Sequence, residues 1–238
     1  MKIDHRRAVT ALFIVVALGT SSGAYATDVM YARLNGAAVY DATTNLTWIS
    51  NGDLALTDTF GVSGIYYGSM TWDTAQSWIG AMNAANYLGF NNWQLPTTLQ
   101  PDPTCSTQLS GGVSDGSDCT GSQIGNLFYN ALGGVDSQDI ATTHNANYNL
   151  FSNLQCIFDT CQNYWSGTEY APDPTNQAWV SDLSSGYDQF FTVKSFNAGA
   201  LVVRPGDVAA VPVPPAVWLF GSGMVGLLGV IRKRKAAY

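Results

Sequence analysis

The sequence predicts an α+β fold with short antiparallel strands and two helices. Strand-like runs come first, at residues 37–40 and 46–49, joined by the turn-forming stretch Asp41-Ala-Thr-Thr-Asn45. Two helical patterns and a long polar loop follow. Four further strand patterns come last, at residues 164–166, 178–183, 189–193 and 200–203. Because helices and strands are segregated along the chain, an antiparallel sheet is favoured over repeated βαβ units.

The two helices can be placed by their start and stop residues. Thr71 is suited to cap the first, since apolar residues recur after it with helical spacing, and Gly89 is expected just past its end. The second helix is predicted to begin at Ser122 and to stop at Gly133. Residues 97–121 between the helices are predicted to form a polar loop.

The amino terminus has the features of a secretory signal peptide. Basic residues precede an apolar core at 8–18, and Ala24-Tyr-Ala26 supplies a small-x-small cleavage site. We therefore expect residues 1–26 to be removed after Ala26, which leaves residues 27–208 as the folded exported domain.

The carboxyl terminus, residues 209–238, has three parts in a fixed order. A proline motif spans 211–215, an uncharged apolar run spans 216–231, and a basic cluster spans 232–235. The run is long enough for roughly 24 Å of helix, so we expect a short transmembrane helix whose basic end stays on the cytoplasmic side. The residues of the motif and of the cluster are Val211, Pro212, Val213, Pro214, Pro215 and Ala216, then Arg232, Lys233, Arg234 and Lys235.

This tail closely resembles the PEP-CTERM sorting signals, particularly the Val-Pro-Leu-Pro-Ala variant. The resemblance implies recognition by an exosortase, a membrane protease that cleaves near the proline motif. It also implies a Gram-negative bacterium that makes exopolysaccharide, with an inner-membrane intermediate and a final place at the cell surface or in the extracellular matrix. An ordinary single-span tail anchor is the alternative.

Removing both ends makes the remaining chain strongly acidic. Between Thr27 and Val211 the cations are Arg33, Lys194 and Arg204, against sixteen acidic residues, so the net charge is −13. Such a surface repels nucleic acid and anionic lipid, and we expect no nucleic-acid partner. The acidity favours either solubility outside the cell or binding of Ca²⁺.

The four cysteines match an oxidising compartment. Three pairings are possible, and we favour the local ones, Cys105 with Cys119 and Cys156 with Cys161, since each closes a small loop. A zinc site is not expected, because no Cys-x-x-Cys pair exists and His144 is the only imidazole after residue 26.

Six motifs in order resemble the Lcl C-terminal domain family, a bacterial module related in fold to C-type lectins and to the formylglycine-generating enzyme. The resemblance covers roughly residues 33–205 and implies a C-type-lectin-like domain. The family has Arg where this chain has Gln94, which puts in doubt any anionic partner of that Arg. The motifs are Asp41-x-x-Thr-x-Leu-x-Trp48, Trp72-Asp-x-Ala75, Gly89-x-x-x-Trp93-Gln-Leu-Pro-Thr97, Tyr164-Trp-Ser-Gly-Thr-Glu169, Ala178-Trp179 and Val203-Arg-Pro205.

Three side chains are candidates for ligand binding. Trp165 and Glu169 lie in one motif, where Glu169 is suited either to orient a ligand or to cap a backbone donor. Trp179 is expected to be exposed for stacking together with Tyr187, Phe190 and Phe191, although alternation in 178–183 permits it to face the core. Core packing with a bonded indole N–H is the expected role of the motif tryptophans Trp48, Trp72, Trp93 and Trp165.

Three functions fit these features. A Ca²⁺-dependent lectin is suggested by Gln100-Pro-Asp102, a tripeptide of such lectins, with oxygen ligands from Asp115-Gly-Ser-Asp118. An enzyme is suggested by the Cys-x4-Cys spacing of the copper-binding formylglycine-generating enzyme, or by His144 as a base. We favour the third, a non-catalytic module without an obligatory cofactor that binds extracellular polysaccharide or matrix protein.

Overall fold

The computed structural model describes residues 28–154, 163–183 and 187–208. In these ranges the chain contains both helices and strands, as in an α+β fold, and neighbouring strands of each sheet pair in antiparallel fashion. The strands are β1 (Met30–Arg33), β2 (Ala38–Asp41), β3 (Leu46–Ile49), β4 (Thr107–Leu109), β5 (Val113–Asp115), β6 (Asn163–Glu169), β7 (Gln177–Asp182), β8 (Asp188–Val193) and β9 (Val203–Pro205). The α-helices are α1 (Leu54–Thr57), α2 (Trp72–Ala84) and α3 (Gln123–Asn126).

The strands form three sheets. One has four strands in the order β1-β2-β3-β9, a second is the hairpin β4-β5, and the third has the order β6-β7-β8. The predicted strand at 200–203 is shifted, because β9 begins only at Val203. Residues 198–202 instead bond in turn to Met70, Asn163 and Ile49, so this buried segment changes partner too often to form one ladder.

Helix α2 begins where the sequence predicts. The amide of Thr74 donates to the Thr71 hydroxyl at 3.3 Å, and one face of the helix is buried. It ends at Ala84, earlier than expected, because Asn86 and Leu88 adopt left-handed backbone angles, with φ of 49° and 55°. Gly89 closes the short 3-10 turn that follows rather than the helix itself.

The second predicted helix is also present. Ser122 precedes α3, and the chain continues as one π-helical turn over Leu127–Ala131. Gly133 follows with φ of +72°, a conformation that favours glycine. Asn145 satisfies the carbonyl of Ala131 with its side-chain amide at 3.0 Å, so the helix end is bonded from outside.

The predicted hydrogen bond from a packed indole N–H is confirmed for three of the four motif tryptophans. The indole N–H of Trp72 donates to Ser166, that of Trp93 to Tyr87 and that of Trp165 to Met70, each through a backbone carbonyl at 2.8–3.0 Å. Trp48 is the exception, because it is buried and its N–H has no partner among the described residues. These indoles hold the core together rather than face solvent.

The first sheet joins the two ends of the described chain. In the ladder register Met30 pairs with Asp41, Asp41 with Leu46, and Leu46 with Pro205, so β1 begins and β9 ends at the same end of the sheet. The Arg33 guanidinium lies over the rings of Tyr31 and Tyr40. It pairs with Asp207 through two hydrogen bonds of 2.8 and 3.0 Å.

Several predictions fall outside the described residues. They are the signal peptide, the sorting tail with its proline motif, apolar run and basic cluster, and the pair Cys156 and Cys161. Within the ranges that the structure describes, no helix has the length and apolar character needed to cross a membrane.

Candidate functional site

A cleft of about 520 Å³ lies between the tip of the β4-β5 hairpin and the end of β6. It combines backbone, hydroxyl, aromatic and carboxylate groups, and Glu169 is the one charged residue among the described residues that line it. The lining residues are Thr98, Gln100, Gly111, Gly112, Val113, Thr168, Glu169, Tyr170, Ala171, Pro172 and Trp179. We call this the aromatic cleft.

The β4-β5 hairpin forms one wall of the aromatic cleft. A side-chain amide bonds to its backbone in the place where a third strand would pair. Gln100 donates its amide N–H to the carbonyl of Ser114 at 2.7 Å, and its amide oxygen accepts from the Ser114 N–H at 2.8 Å. At the tip, Gly111 and Gly112 have φ of +80° and +77°, which permits the tight turn. Gln100 therefore supports β5 at Ser114 in the way that a neighbouring strand would.

A disulfide closes the base of the same hairpin. Cys105 and Cys119 are bonded, which confirms this predicted pair. It excludes the two alternative pairings, in which each of these cysteines would bond to Cys156 or Cys161. The base also bonds to β8, since Gly116 and Gln189 exchange two backbone hydrogen bonds of 2.8 and 2.9 Å. These links fix the position of the hairpin against the third sheet.

The opposite wall is a stack of aromatic rings. Tyr170 lies face to face on Phe191, with ring centres 3.7 Å apart and planes within 7°. Trp179 meets both rings edge-on, with centres 5.8 and 5.6 Å away. Tyr170 was not among the residues that the sequence singled out. Its only signal is its position directly after the Tyr164-to-Glu169 motif.

Trp179 and Tyr187 are not the exposed stacking residues that the sequence suggested. Each is 1% exposed, which agrees with the inward orientation that alternation along β7 permits for Trp179. Trp179 supports the cleft from below. Phe190 and Phe191 are half-buried. The expected row of exposed aromatic rings is therefore replaced by one half-buried ring, Tyr170, held over a buried indole.

Glu169 is exposed at the rim of the aromatic cleft and forms an ion pair with Lys194 at 2.5 Å. The ammonium of Lys194 also donates to the carbonyl of Pro174 at 2.8 Å and lies 4.0 Å from the centre of the Trp72 ring. The side chain of Lys194 is only 12% exposed, against 44% for Glu169. The carboxylate is thus the charge that reaches solvent, and its pairing with Lys194 replaces the backbone cap considered from sequence.

Trp165 is fully buried and does not line the cleft. Its ring packs in the hydrophobic core among residues that include Ile49 and Trp78, and its N–H donates to the carbonyl of Met70. Its structural role is to join β6 to the segment before α2. Of the three predicted ligand-binding residues, Glu169 and Trp179 therefore meet at one cleft and Trp165 does not.

The tripeptide Gln100-Pro-Asp102 turns its polar groups inward. Asp102 is fully buried, and its carboxylate accepts from the Thr104 N–H, the Thr104 hydroxyl and the Gly121 N–H at 2.6–3.0 Å. Gln100 is occupied by Ser114, as described above. These polar atoms are therefore hydrogen-bonded within the loop itself.

Asp102 also lies close to Cys105 and Cys119, with candidate ligand atoms within 4.8 Å of one another. Both sulfur atoms belong to the disulfide and carry no thiolate charge, so this group does not fit a metal ion.

His144 lies away from the aromatic cleft. Its Nδ1 is 2.7 Å from the carbonyl oxygen of Ile140, and its ring stacks on Tyr148 with centres 4.1 Å apart.

A second cleft, of about 410 Å³, lies at the base of the same hairpin. Among described residues it is lined by Asp136, Asp182 and Asp188 with serine hydroxyls and backbone, and we call it the acidic cleft. Burial, followed by repulsion from Asp182, Asp115 and Asp136, raises the pKa of Asp188. The sequence indicated an acidic surface but not that these carboxylates meet.

No family model, curated protein or solved structure matches this chain. The resemblances to the Lcl C-terminal domain and to PEP-CTERM signals therefore rest on the sequence motifs alone.

Proposed function

We propose that this protein is an exported, non-catalytic cell-surface or matrix protein of a bacterium that makes exopolysaccharide. An exosortase recognises its carboxyl-terminal tail at the inner membrane, and its C-type-lectin-like domain binds extracellular polysaccharide through the aromatic cleft. The observation that carries the binding role is the Tyr170 ring, which is fixed on Phe191 at the wall of a cleft with a single charged side chain in its described lining.

A saccharide suits this cleft because its ring presents both C–H faces and hydroxyl groups. A preordered aromatic ring supplies contact area with little loss of side-chain freedom, and concave sites of this size use a few polar groups to fix orientation. Tyr170 and Glu169 supply a hydroxyl and a carboxylate to the lining of this cleft. A matrix protein is the other partner that the export signals suggest, and the saccharide is favoured because the cleft combines an aromatic ring with a few polar groups.

Two further functions remain secondary. A Ca²⁺-dependent lectin is less favoured, since Gln100 and Asp102 spend their polar atoms inside the loop. An enzyme of the formylglycine-generating type would depend on Cys156 and Cys161, which lie outside the described residues. Neither the calcium-dependent lectin nor the enzyme is supported by a structural observation comparable to the stacking of Tyr170 on Phe191.

The binding role is tested with Tyr170→Ala. We expect binding to the best ligand on a glycan array to weaken by at least about tenfold in calorimetry, which corresponds to about 1.4 kcal/mol. Tyr66→Ala is the matched control, because Tyr66 is 72% exposed and does not line the cleft. Equal binding by both variants, or an array without any hit, would contradict the role of the cleft.

The sorting role is tested separately by pulse-chase labelling in a host that contains an exosortase. We expect the tail from residue 209 onward to be lost, and its loss to stop when Pro212, Pro214 and Pro215 are replaced by Ala. A tail that stays on the wild-type protein would support an ordinary membrane anchor instead.

A further inference from the structure

We propose that the aromatic cleft selects uncharged saccharide segments and rejects segments that carry carboxylate or sulfate groups. This inference rests on the proposed function and names the chemical class of its ligand. It follows from where the few cations of the exported domain lie and from what already occupies each of them.

The exported domain has no cation available for an anionic ligand at the cleft. Its three basic residues are Arg33, Lys194 and Arg204. Arg33 pairs with Asp207 through Nε and one Nη, its other Nη donates to the Ala32 carbonyl at 3.2 Å, and it does not line the cleft. Arg204 donates to the side chain of Asn92 at 2.8 Å and lies 4.3 Å from the centre of the Phe90 ring. Recognition of carboxylate or sulfate in proteins relies on such groups, so the two arginines cannot supply it here.

Lys194 is the one cation near the cleft, and it is turned away from a ligand. Its ammonium is occupied by Glu169, the Pro174 carbonyl and the Trp72 ring, and its side chain is far less exposed than that of Glu169. An incoming anion would meet the Glu169 carboxylate first. The local field at the rim therefore repels anions, although the ion pair itself is neutral.

The charge of the whole domain acts in the same direction. Its net charge of −13 includes the three carboxylates of the acidic cleft, at the other end of the hairpin. The contribution of distant charges reaches about 10 Å at 0.1 M salt and fades at higher salt. A polyanion is consequently disfavoured both on approach and at the rim, whereas an uncharged saccharide meets neither penalty.

The inference is tested with pairs of oligosaccharides that differ at one carbon. Each neutral oligosaccharide that binds on the array is compared with its C6-oxidised form, in which the hydroxymethyl groups are carboxylates. We expect the neutral form to bind at least about tenfold more tightly at 20 mM NaCl, and the ratio to fall several-fold at 500 mM NaCl because the repulsion is screened.

A charge variant assigns the effect to the cleft rim. Glu169→Gln leaves the Lys194 charge uncompensated, so the ratio of the two dissociation constants should fall by about fivefold. Asp207→Asn is the matched control, since it removes the same charge from a residue that does not line the cleft and should leave that ratio within about 1.5-fold of wild type.

The outcomes separate the two proposals. If no oligosaccharide binds, the proposed function fails and this inference fails with it. If neutral forms bind but the oxidised forms bind equally or more tightly, the proposed function stands and the selection against anions is overturned. If Glu169→Gln and Asp207→Asn change the ratio equally, the selection arises from net charge and the role of the rim is overturned.

Discussion

The aromatic cleft and the acidic cleft lie at the two ends of the same hairpin, yet they differ in almost every physical property. At the tip, Gly111 and Gly112 face a wall of stacked rings, and the one carboxylate in the described lining is paired with Lys194. At the base, Asp136, Asp182 and Asp188 converge, and no cation is among the described lining residues. The same hairpin therefore borders one cleft whose carboxylate is paired with a cation and one whose carboxylates have no cation in the described lining.

The difference shows that favourable contacts hold the lining of the aromatic cleft, whereas the lining of the acidic cleft brings groups of like charge together. In the aromatic cleft, ring contacts and an ion pair fix the lining, so its shape exists before any ligand arrives. In the acidic cleft, burial first and then repulsion from neighbouring carboxylates raise the pKa of Asp188, so its charged form is disfavoured by folding. Changes to the two clefts should consequently move stability in opposite directions.

The largest effect is expected for Trp179→Ala below the aromatic cleft. Because this indole is 1% exposed and meets Tyr170 and Phe191 edge-on, its loss should lower the free energy of unfolding by about 3–5 kcal/mol. Urea denaturation followed by circular dichroism measures the change. Tyr66→Ala, in an exposed turn, should cost less than about 0.5 kcal/mol. A loss below 1 kcal/mol for Trp179→Ala would mean that this wall is not fixed as described.

The next effect is expected for the double variant Cys105→Ser with Cys119→Ser. The two cysteines are 14 residues apart, and the loss of such a loop closure should lower stability by roughly 3 kcal/mol on the chain-entropy account. Both clefts share the hairpin, so hydrogen exchange at its amides should quicken at the tip and at the base together. Faster exchange at one end only would show that the hydrogen bonds between Gln100 and Ser114 hold the other end independently.

The smallest effect is expected for Asp188→Asn in the acidic cleft. A carboxyl whose pKa is raised by folding contributes stability below its unfolded pKa and loses it as the pH rises through the folded value. The variant should therefore be more stable than wild type at pH 7, by only a few tenths of a kcal/mol because Asp188, although partly desolvated, keeps enough contact with solvent to be screened.

That difference should disappear as the pH falls below the ordinary Asp pKa of 3.8, where Asp188 is protonated in both the folded and the unfolded state. Glu169→Gln provides the comparison in the aromatic cleft, since it removes the partner of Lys194 and should slightly destabilise at pH 7. Stabilisation by Glu169→Gln, or destabilisation by Asp188→Asn, would reverse the contrast between the clefts.

Local patterns in the sequence were sufficient for most of the elements. Thr71 and the apolar spacing after it located α2, Ser122 located α3, and loop closure favoured the Cys105–Cys119 bond. Each of these depends on residues close together in the chain. The end of α2 was misplaced because two non-glycine residues, Asn86 and Leu88, take left-handed angles that a sequence pattern does not reveal.

The candidate site was harder to predict because its parts are distant in sequence. Glu169 and Trp179 were singled out, but Tyr170 was not, since its position depends on stacking with Phe191 across the third sheet. Gln100 was taken as part of a ligand tripeptide, whereas its side chain fills the place of a strand beside Ser114. Only the fold shows whether a polar side chain faces a ligand or the backbone.

The first sheet has a consequence for how the domain can be attached to other structures. Residues 30 and 205 lie in one row across the four strands, so the chain enters and leaves at the same end. A domain whose chain enters and leaves at one end of a sheet can be inserted into a loop of another protein, or have its ends joined by a linker, without disturbing the sheet. An anchor that follows residue 208 would therefore attach the domain at the end of the sheet where β1 begins.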